Sequence, residues 1–279
     1  MTRLQDDFYD YVNGTWAETA VIPDDKPMTG GFMDLDQDIE KLMLETTDKW
    51  LKGQELPDDP ILQNFVKYHR LVADFEAREK AGVAPAMPLV EEYKALSSFA
   101  EFAGKSAEYM LAGKPNFLRF DVAPDFMNAQ MNVLWADAPG IILPDTTYYE
   151  EGNEKGPELL AAWRKMQEEL LPKFGFSAEE TKDILDKYLE LDAKLAKYVL
   201  SNEEMSEYAK LYHPYDWADF VELTPELPLN AIFTQILGQL PDKVIVPQER
   251  FWKEFAAEYY SEKNWPAIHA KLKLSAADA

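Results

Sequence analysis

The side chains best suited to catalysis in this sequence are three histidines, His69, His213 and His269. None is followed by glutamate, and no pair has the spacing of an HExxH helix, in which two imidazoles bind one zinc ion and the glutamate activates water. Three distant histidines could still converge in space. Ordinary surface or core histidines are the simpler interpretation, because His69 lies on a predicted helix and His213 in a predicted turn. The sequence therefore predicts no catalytic and no metal-binding residue in this chain.

Acidic residues dominate the chain but form no recognisable site. Asp34, Asp36, Asp38 and Glu45 occupy positions 1, 3, 5 and 12 of the calcium-loop pattern, but position 6 is Ile39 instead of glycine. A helix with an acidic first turn explains the same residues. Adjacent acid pairs could serve as the acid and base of a glycosidase, although solvated helix starts and loops explain them more simply. These pairs are Asp24-Asp25, Asp58-Asp59, Glu150-Glu151 and Glu203-Glu204.

The overall charge and the absence of cysteine exclude several classes of protein. There are 51 Asp and Glu against 28 Lys and Arg, a net charge of −23, so nucleic acid and anionic membranes would be repelled. No cysteine is available for disulfides, iron–sulfur clusters or thiol catalysis, which suits a reducing compartment. No signal-peptide pattern and no apolar run of roughly 18 residues occurs. We expect a cytoplasmic protein with no nucleic-acid or membrane partner.

Most of the chain has the spacing of amphipathic helices. Asp59 and Pro60 provide a cap and a first helical residue, and Ser98 with Glu101 and Ser177 with Glu180 have the spacing of capping boxes. Three apolar stripes follow the helical period. They run through Leu35, Ile39, Leu42, Thr46 and Trp50; Ile61, Phe65, Tyr68, Val72 and Phe75; and Ile184, Tyr188, Leu191, Leu195 and Tyr198. Further helices are predicted after Gly156-Pro157, over Phe251, Trp252, Phe255 and Tyr259, and from Trp265.

One region has the period of a strand instead. Leu118, Phe120 and Val122 alternate with charged residues, and Met131, Val133 and Trp135 repeat this pattern after Pro124-Asp125. The predicted fold class is therefore mainly α, a multi-helix domain with one inserted β-hairpin at about residues 116–136. The C-terminal segment KLKLSAADA continues a helical pattern without a cap or stop, so we expect a truncated C-terminus.

The segment DDFYDYVNGTWAETAVIPDDKP, residues 6–27, has several aromatic residues around an Asn-Gly pair and then an Ile-Pro pair, but it contains no catalytic motif. With the residues that follow it, up to MTGGFMDL, it resembles the N-terminal signature of the neprilysin-type zinc metalloendopeptidases, particularly the bacterial oligopeptidase O branch. The signature has an aromatic helix with VNG-x-W, an Ile-Pro turn and a G-x-F segment; here Gly31 directly precedes Phe32. The segments NFLRFDVAPDFMNAQMNVLWADAPGIILPDTTYYE and SNEEMSEYAKLYHPYDWADF also resemble that family.

The resemblance implies a non-catalytic role for this chain. Family members are much longer, and their zinc histidines, catalytic glutamate, third zinc ligand and Asn-Ala substrate motif lie outside the part matched here. This chain is similar to the mostly helical N-terminal part, which faces the catalytic domain across an enclosed cavity. The resemblance predicts no cofactor in this chain, zinc in a missing C-terminal half, and two partners: that catalytic half and oligopeptide substrates.

The same resemblance implies a division of the chain and two candidate substrate-binding residues. Residues 1–33 would form an arm that docks on the catalytic half, partly exposed here, and residues 34–279 the helical lid domain. In animal neprilysin an arginine four residues before the phenylalanine matched by Phe32 reaches the substrate's C-terminal carboxylate, and Met28 occupies that position here. Methionine cannot form this contact, which argues against a dipeptide-releasing preference. Met28 and Phe32 are the candidates, with ordinary packing as the alternative for Phe32.

Two other functions stay open at this point. A free-standing helical module could bind peptides or a protein partner without hydrolysing them. The hypothesis of a carbohydrate-hydrolysing enzyme is supported only by the acid pairs and by aromatic residues such as Trp135, Trp163 and Trp217.

Overall fold

A computed structural model of the protein describes residues 2–26 and 28–278. The chain divides into two compact units, residues 1–80 and residues 81–279. In the first unit, helices α1 (Phe8–Ala17), α2 (Gly31–Leu51) and α3 (Pro60–Ala73) are followed by α4 (Phe75–Ala81), which reaches the boundary. The predicted division at residues 33 and 34 depends on a catalytic half and stays a prediction.

Local sequence signals account for the helices of the N-terminal unit. Asp59 caps α3, accepting hydrogen bonds from the amides of Ile61 and Leu62 at 2.8 and 3.1 Å, and Pro60 is its first residue, as predicted. The acids of the calcium-like pattern lie within α2, so their helical interpretation is confirmed. Helices α2 and α3 pack against each other through Trp50 and Phe65, whose rings meet edge to face at 6.4 Å.

The C-terminal unit contains the larger core. Its longer helices are α5 (Met87–Lys94), α6 (Phe99–Leu111), α7 (Lys155–Leu170), α8 (Ala178–Leu195), α11 (Leu229–Leu237) and α14 (Trp265–Asp278). Shorter helices are α9 (Asn202–Ser206), α10 (Trp217–Val221), α12 (Glu249–Glu254) and α13 (Ala256–Tyr259). Single 3-10 turns occur at Thr146–Tyr149, Leu171–Phe174, Tyr208–Lys210 and Glu262–Asn264.

Two of the predicted helices differ from the structure in detail. Ser177 and Glu180 form the full reciprocal capping box of α8, whereas the Glu101 carboxylate accepts from the Ser97 amide instead of completing a box with Ser98. The single helix predicted through Phe251 and Tyr259 is two short helices, because the backbone leaves helical geometry at Phe255. The aromatic residues of this segment are nevertheless buried, as their spacing indicated.

The sheet has four strands in the order β1-β2-β4-β3, among the described residues. Strands β1 (Arg119–Asp125) and β2 (Asn128–Asp137) form the predicted hairpin, β4 (Lys243–Ile245) runs parallel to β2, and β3 (Pro214–Asp216) pairs with β4. The fold class, mainly α with an inserted hairpin, is confirmed. The two three-residue strands were not predicted, since they are too short to show an alternating pattern.

The main core does not take the face of β2 that the alternation of Met131, Val133 and Trp135 predicted, although Val133 itself is buried. Leu134 and Ala136 enter the main core instead, opposite Val122 and Phe120 of β1, and Met131 is exposed. The four residues VLWA, 133–136, are apolar on both faces, so hydrophobic alternation could not select the correct one. Trp135 consequently lies on the outer face of the hairpin, where it lines a cleft.

Candidate functional site

The structure places both sequence-predicted site residues at the surface, where α2 begins. The Phe32 side chain is 85% exposed and the Met28 side chain 55% exposed. Nothing lies within 4 Å of a Cβ built on Gly30 or Gly31, so the backbone beside Phe32 is also open. The Phe32 ring therefore has few contacts within the described residues, and ordinary packing stays open as the alternative for it. Contact of either residue with substrate stays a prediction.

The N-terminal unit exposes a large set of apolar side chains, here called the N-terminal apolar surface. Helix α1 has no buried residue, and Trp16 is 40% exposed, in agreement with the partly exposed arm that we expected. In α2 and α3 the buried residues are only Thr47 and Val66. Monomeric proteins rarely expose apolar patches of this extent unless another surface covers them. The surface comprises Phe8, Tyr9, Tyr11, Val12, Trp16, Val21, Ile22, Met28, Phe32, Leu35, Ile39, Leu42, Met43, Leu44, Ile61, Phe65, Tyr68, Leu71, Val72 and Phe75.

A cleft of about 370 Å³ lies within this surface, between α2 and α3. Its lining is almost entirely apolar and consists of Leu42, Met43, Thr46, Thr47, Trp50, Leu62 and Phe65. The edge-to-face pair of Trp50 and Phe65 forms part of this lining. This lining could hold an apolar segment of another polypeptide, because it offers shape and hydrophobic area with few polar groups.

A second cleft, here called the sheet cleft, lies in the C-terminal unit on the outer face of the hairpin and has a volume of about 520 Å³. Arg119 pairs with Asp137 across the two strands, and Asp121 pairs with Trp135. The Phe126 ring packs against the Trp135 ring at 4.7 Å. The lining residues are Arg119, Phe120, Asp121, Ala123, Phe126, Trp135, Asp137 and Pro247.

A buried carboxylate fixes the hairpin turn that presents Phe126. Asp125 accepts hydrogen bonds from the Lys243 ammonium, from the Met127 amide at 2.9 Å and from the Tyr212 hydroxyl at 2.8 Å. The Lys243 contact first, and then the amide, lower the pKa of Asp125 to about 2. Tyr212 in turn stacks on Phe126 at 6.2 Å. Phe126 and Trp135, here called the aromatic wall of the sheet cleft, are therefore supported by a Tyr212 side chain that hydrogen-bonds to Asp125.

A second buried carboxylate organises the loop between β2 and α7. Asp192 of α8 accepts hydrogen bonds from the Tyr149 hydroxyl and, at 2.8 Å, from the Ile142 amide. Burial raises the pKa of Asp192, while these two donors oppose the rise. Sequence reasoning missed this residue. Its signal is a single aspartate beside Leu191 on a stripe that is otherwise apolar.

Two of the three histidines hydrogen-bond to backbone carbonyls, whereas the buried Nδ1 of His69 has no hydrogen-bond partner among the described residues and its ring lies against Phe65. The His213 Nδ1 donates to the carbonyl of Val246 at 3.2 Å, and the His269 Nε2 donates to the carbonyl of Tyr93 at 2.7 Å. Burial lowers the pKa of His269. Among residues 2–26 and 28–278, no group of three or more histidine, aspartate or glutamate residues could hold a metal ion.

None of the helices in the described part of the chain combines the length and the apolar character needed to cross a membrane.

Comparison with known proteins agrees with this architecture. A model of peptidase family M13 matches residues 4–279. A protein of Streptococcus gordonii that carries the name zinc metalloproteinase is 64% identical over 276 residues, which cover 99% of this chain and 49% of that protein. The neutral endopeptidase of Lactococcus lactis subsp. cremoris is 35% identical over 272 residues, 97% of this chain and 43% of that enzyme. The chain thus spans about half the length of these relatives, or less.

The solved structures support the fold. The crystal structure of PepO from Lactobacillus rhamnosis HN001 matches with a TM-score of 0.84 and 23% identity, over 99% of this chain and 43% of that one. This identity is low, so the match concerns the fold alone. The sequence match, by contrast, extends over nearly the whole chain. The chain belongs to peptidase family M13 and matches the model of that family's N-terminal domain.

Proposed function

We propose that this chain is the non-catalytic part of a zinc metalloendopeptidase that hydrolyses oligopeptides, and that it forms part of the enclosed substrate cavity. The N-terminal apolar surface is the observation that carries this proposal. Its side chains have the helical spacing of buried residues but lie exposed along α1, α2 and α3. Covering them with a second polypeptide would remove a large apolar area from water.

The proposed cover is the catalytic half of the same protein. The relatives of this chain are about twice as long as the part that it matches, which supports a polypeptide partner of that size. Residues 1–33 would dock as an arm, and the cleft between α2 and α3 would receive an apolar segment of the catalytic half. Residues 34–279 would form the helical lid domain.

In the assembled enzyme, Phe32 and Met28 would line the peptide-binding region. Phe32 offers an aromatic ring to an apolar peptide side chain, and Met28 offers a flexible thioether without charge. Zinc is expected in the catalytic half, to which we assign hydrolysis. The chain contains no cysteine, which supports location in the cytoplasm.

The test supplies the catalytic half of the S. gordonii relative to this chain, joined to it or in trans. We expect no peptide cleavage and no stoichiometric zinc in the 279-residue chain alone, and both in the complex. Leu42→Glu should weaken assembly, because it places a charge in the apolar cleft. Leu159→Asp is the matched control, since Leu159 is an exposed apolar residue of α7 in the other unit.

Turnover with bound zinc in the short chain alone would refute this proposal. Equal loss of assembly in both variants would show that the N-terminal apolar surface has no special part in docking. Peptide binding by the chain, combined with failure to recruit any catalytic half, would favour the free-standing binding module instead.

A further inference from the structure

We propose that the sheet cleft is a binding site for the basic side chain, lysine or arginine, of a peptide. The role of this site rests on the proposed function, because a peptide with a basic side chain would be a substrate of the assembled enzyme. The binding itself involves only residues of the C-terminal unit. The cleft combines an aromatic wall, two carboxylates and a volume of about 520 Å³, enough for a long side chain and part of its backbone.

Strand register places the polar and aromatic groups of the cleft on one face. Asp121 lies directly opposite Trp135, and Arg119 lies opposite Asp137. Residues opposite each other have Cβ atoms about 5 Å apart, and diagonal neighbours such as Asp121 and Asp137 are roughly 7–8 Å apart. An ammonium or guanidinium group entering beside Trp135 could therefore approach both carboxylates at once.

In each of the two carboxylates, Asp121 and Asp137, one oxygen already accepts hydrogen bonds within the chain. Asp137 Oδ1 accepts from the Gln248 amide at 2.7 Å and from the Ala138 backbone amide at 2.8 Å. Asp121 Oδ1 accepts from the Val122 amide at 2.8 Å. The described residues provide no hydrogen-bond donor for Oδ2 of either group. Because two donors already hold Asp137, a bound cation would not have to order that carboxylate.

The aromatic wall suits the rest of a basic side chain. The Trp135 and Phe126 rings are in contact at 4.7 Å, and Tyr212 extends the stack behind Phe126. The aliphatic stem of lysine or arginine packs well on such a surface while its charged end reaches a polar rim. Tryptophan is also the aromatic ring that attracts cations most strongly.

Arg119 is the one positive charge among the cleft-lining residues and opposes binding of a cation. Its Nη1 lies 3.4 Å from the position of a Cβ built on Gly140, which places the guanidinium beside the Gly140 backbone. The cleft still has two negative charges against one positive, in a chain of net charge −23. This balance favours a cation over an anion, and the best position for it is beside Asp121 and Trp135.

The test is calorimetric titration of the 279-residue chain with three capped tripeptides, Ala-Lys-Ala, Ala-norleucine-Ala and Ala-Glu-Ala, at low and high salt. We expect the lysine peptide to bind most tightly, with an affinity that falls as salt rises. Asp121→Asn should weaken it about fivefold, as for loss of one exposed ionic contact. Arg119→Gln should strengthen it, because it removes the competing cation. Tryptophan fluorescence, to which Trp135 contributes together with six other tryptophans, should also change on binding.

Asp36→Asn is the matched control, because Asp36 is an exposed aspartate of α2 that does not line the sheet cleft. Asp121 is also exposed, so its variant should fold normally, which circular dichroism checks. Equal affinity for the lysine and norleucine peptides, or unchanged lysine binding in Asp121→Asn, would overturn the proposal. The titration needs no catalytic half, so failed assembly in the docking experiment leaves its result intact.

Discussion

Lys271 and Asp192 show how this fold buries charge without a direct ion pair. Both side chains are buried, and in the described structure each hydrogen-bonds to other partners, Lys271 to a backbone carbonyl and Asp192 to Tyr149 and the Ile142 amide. Lys271 Nζ donates to the carbonyl of Gly140 at 3.3 Å and lies over the rings of Phe117 and Tyr188. Burial of a charged ammonium costs free energy, which these partners offset in part. Such a residue makes stability depend on pH.

The first prediction concerns that pH dependence. Burial lowers the pKa of Lys271 from 10.5 to about 8, so between these values the unfolded chain binds more protons than the folded one. The free energy of unfolding should therefore gain a contribution that rises with pH from about 8 to 10.5, by at most about 3 kcal/mol. Lys271→Met should lack this contribution. Urea unfolding of both proteins between pH 7 and 10 measures the difference.

A matched variant separates burial from general alkaline effects. Lys182→Met removes an exposed lysine of α8 and should leave the pH profile of wild type unchanged. A constant difference between Lys271→Met and wild type across this pH range would contradict the assigned lowering of the pKa.

At the scale of elements, the start of α7 depends on a close approach of two backbones. A Cβ built on Gly156 would lie 1.8 Å from the carbonyl oxygen of Tyr148, which belongs to the preceding 3-10 turn. Only glycine allows this contact without moving the backbone. The turn is also tied to α8, since the Tyr149 hydroxyl donates to Asp192. The Gly-Pro pair in the sequence thus marks a tight junction as well as a helix start.

The second prediction tests that junction. Gly156→Ala should destabilise the chain by about 2–4 kcal/mol, because the added methyl group displaces backbone. Gly104→Ala is the control: Gly104 lies within α6 with nothing within 4 Å of its built Cβ, and alanine there should stabilise by about 0.5–1 kcal/mol. Thermal and urea unfolding measure both changes. Similar effects of the two substitutions would refute the close-approach argument.

Elements set by neighbouring residues were predictable, and those set by distant contacts were not. The Asp59 cap with Pro60 and the capping box of Ser177 follow from residues a turn apart, so the sequence contains the whole signal. Strand β4 exists because β2 and β3 bind it from either side, which three residues cannot indicate. The sheet cleft was missed for a related reason: it depends on which face of β2 carries Trp135.

At the scale of the whole molecule, the two units differ in what they bury. The C-terminal unit contains a continuous core in which Trp252 contacts Phe120 and Phe220 and donates to the carbonyl of Ala136 at 3.2 Å. The N-terminal unit contributes almost no side chain to a core. Segments with few buried contacts open locally at low free-energy cost. Hydrogen exchange should therefore distinguish the units in the isolated chain.

The third prediction uses this contrast to locate the docked surface. In the isolated chain, amides of α1 to α3 should exchange much faster than those of α8 and α14, because their hydrogen bonds lack a buried apolar cover. Adding the catalytic half of the S. gordonii relative should slow exchange in α1 to α3 and leave α8 and α14 unchanged. Mass spectrometry of peptic fragments gives both rates. Protection confined to the sheet cleft or to α14 would place the partner elsewhere, and the apolar side chains of α1 to α3 would then need another cover.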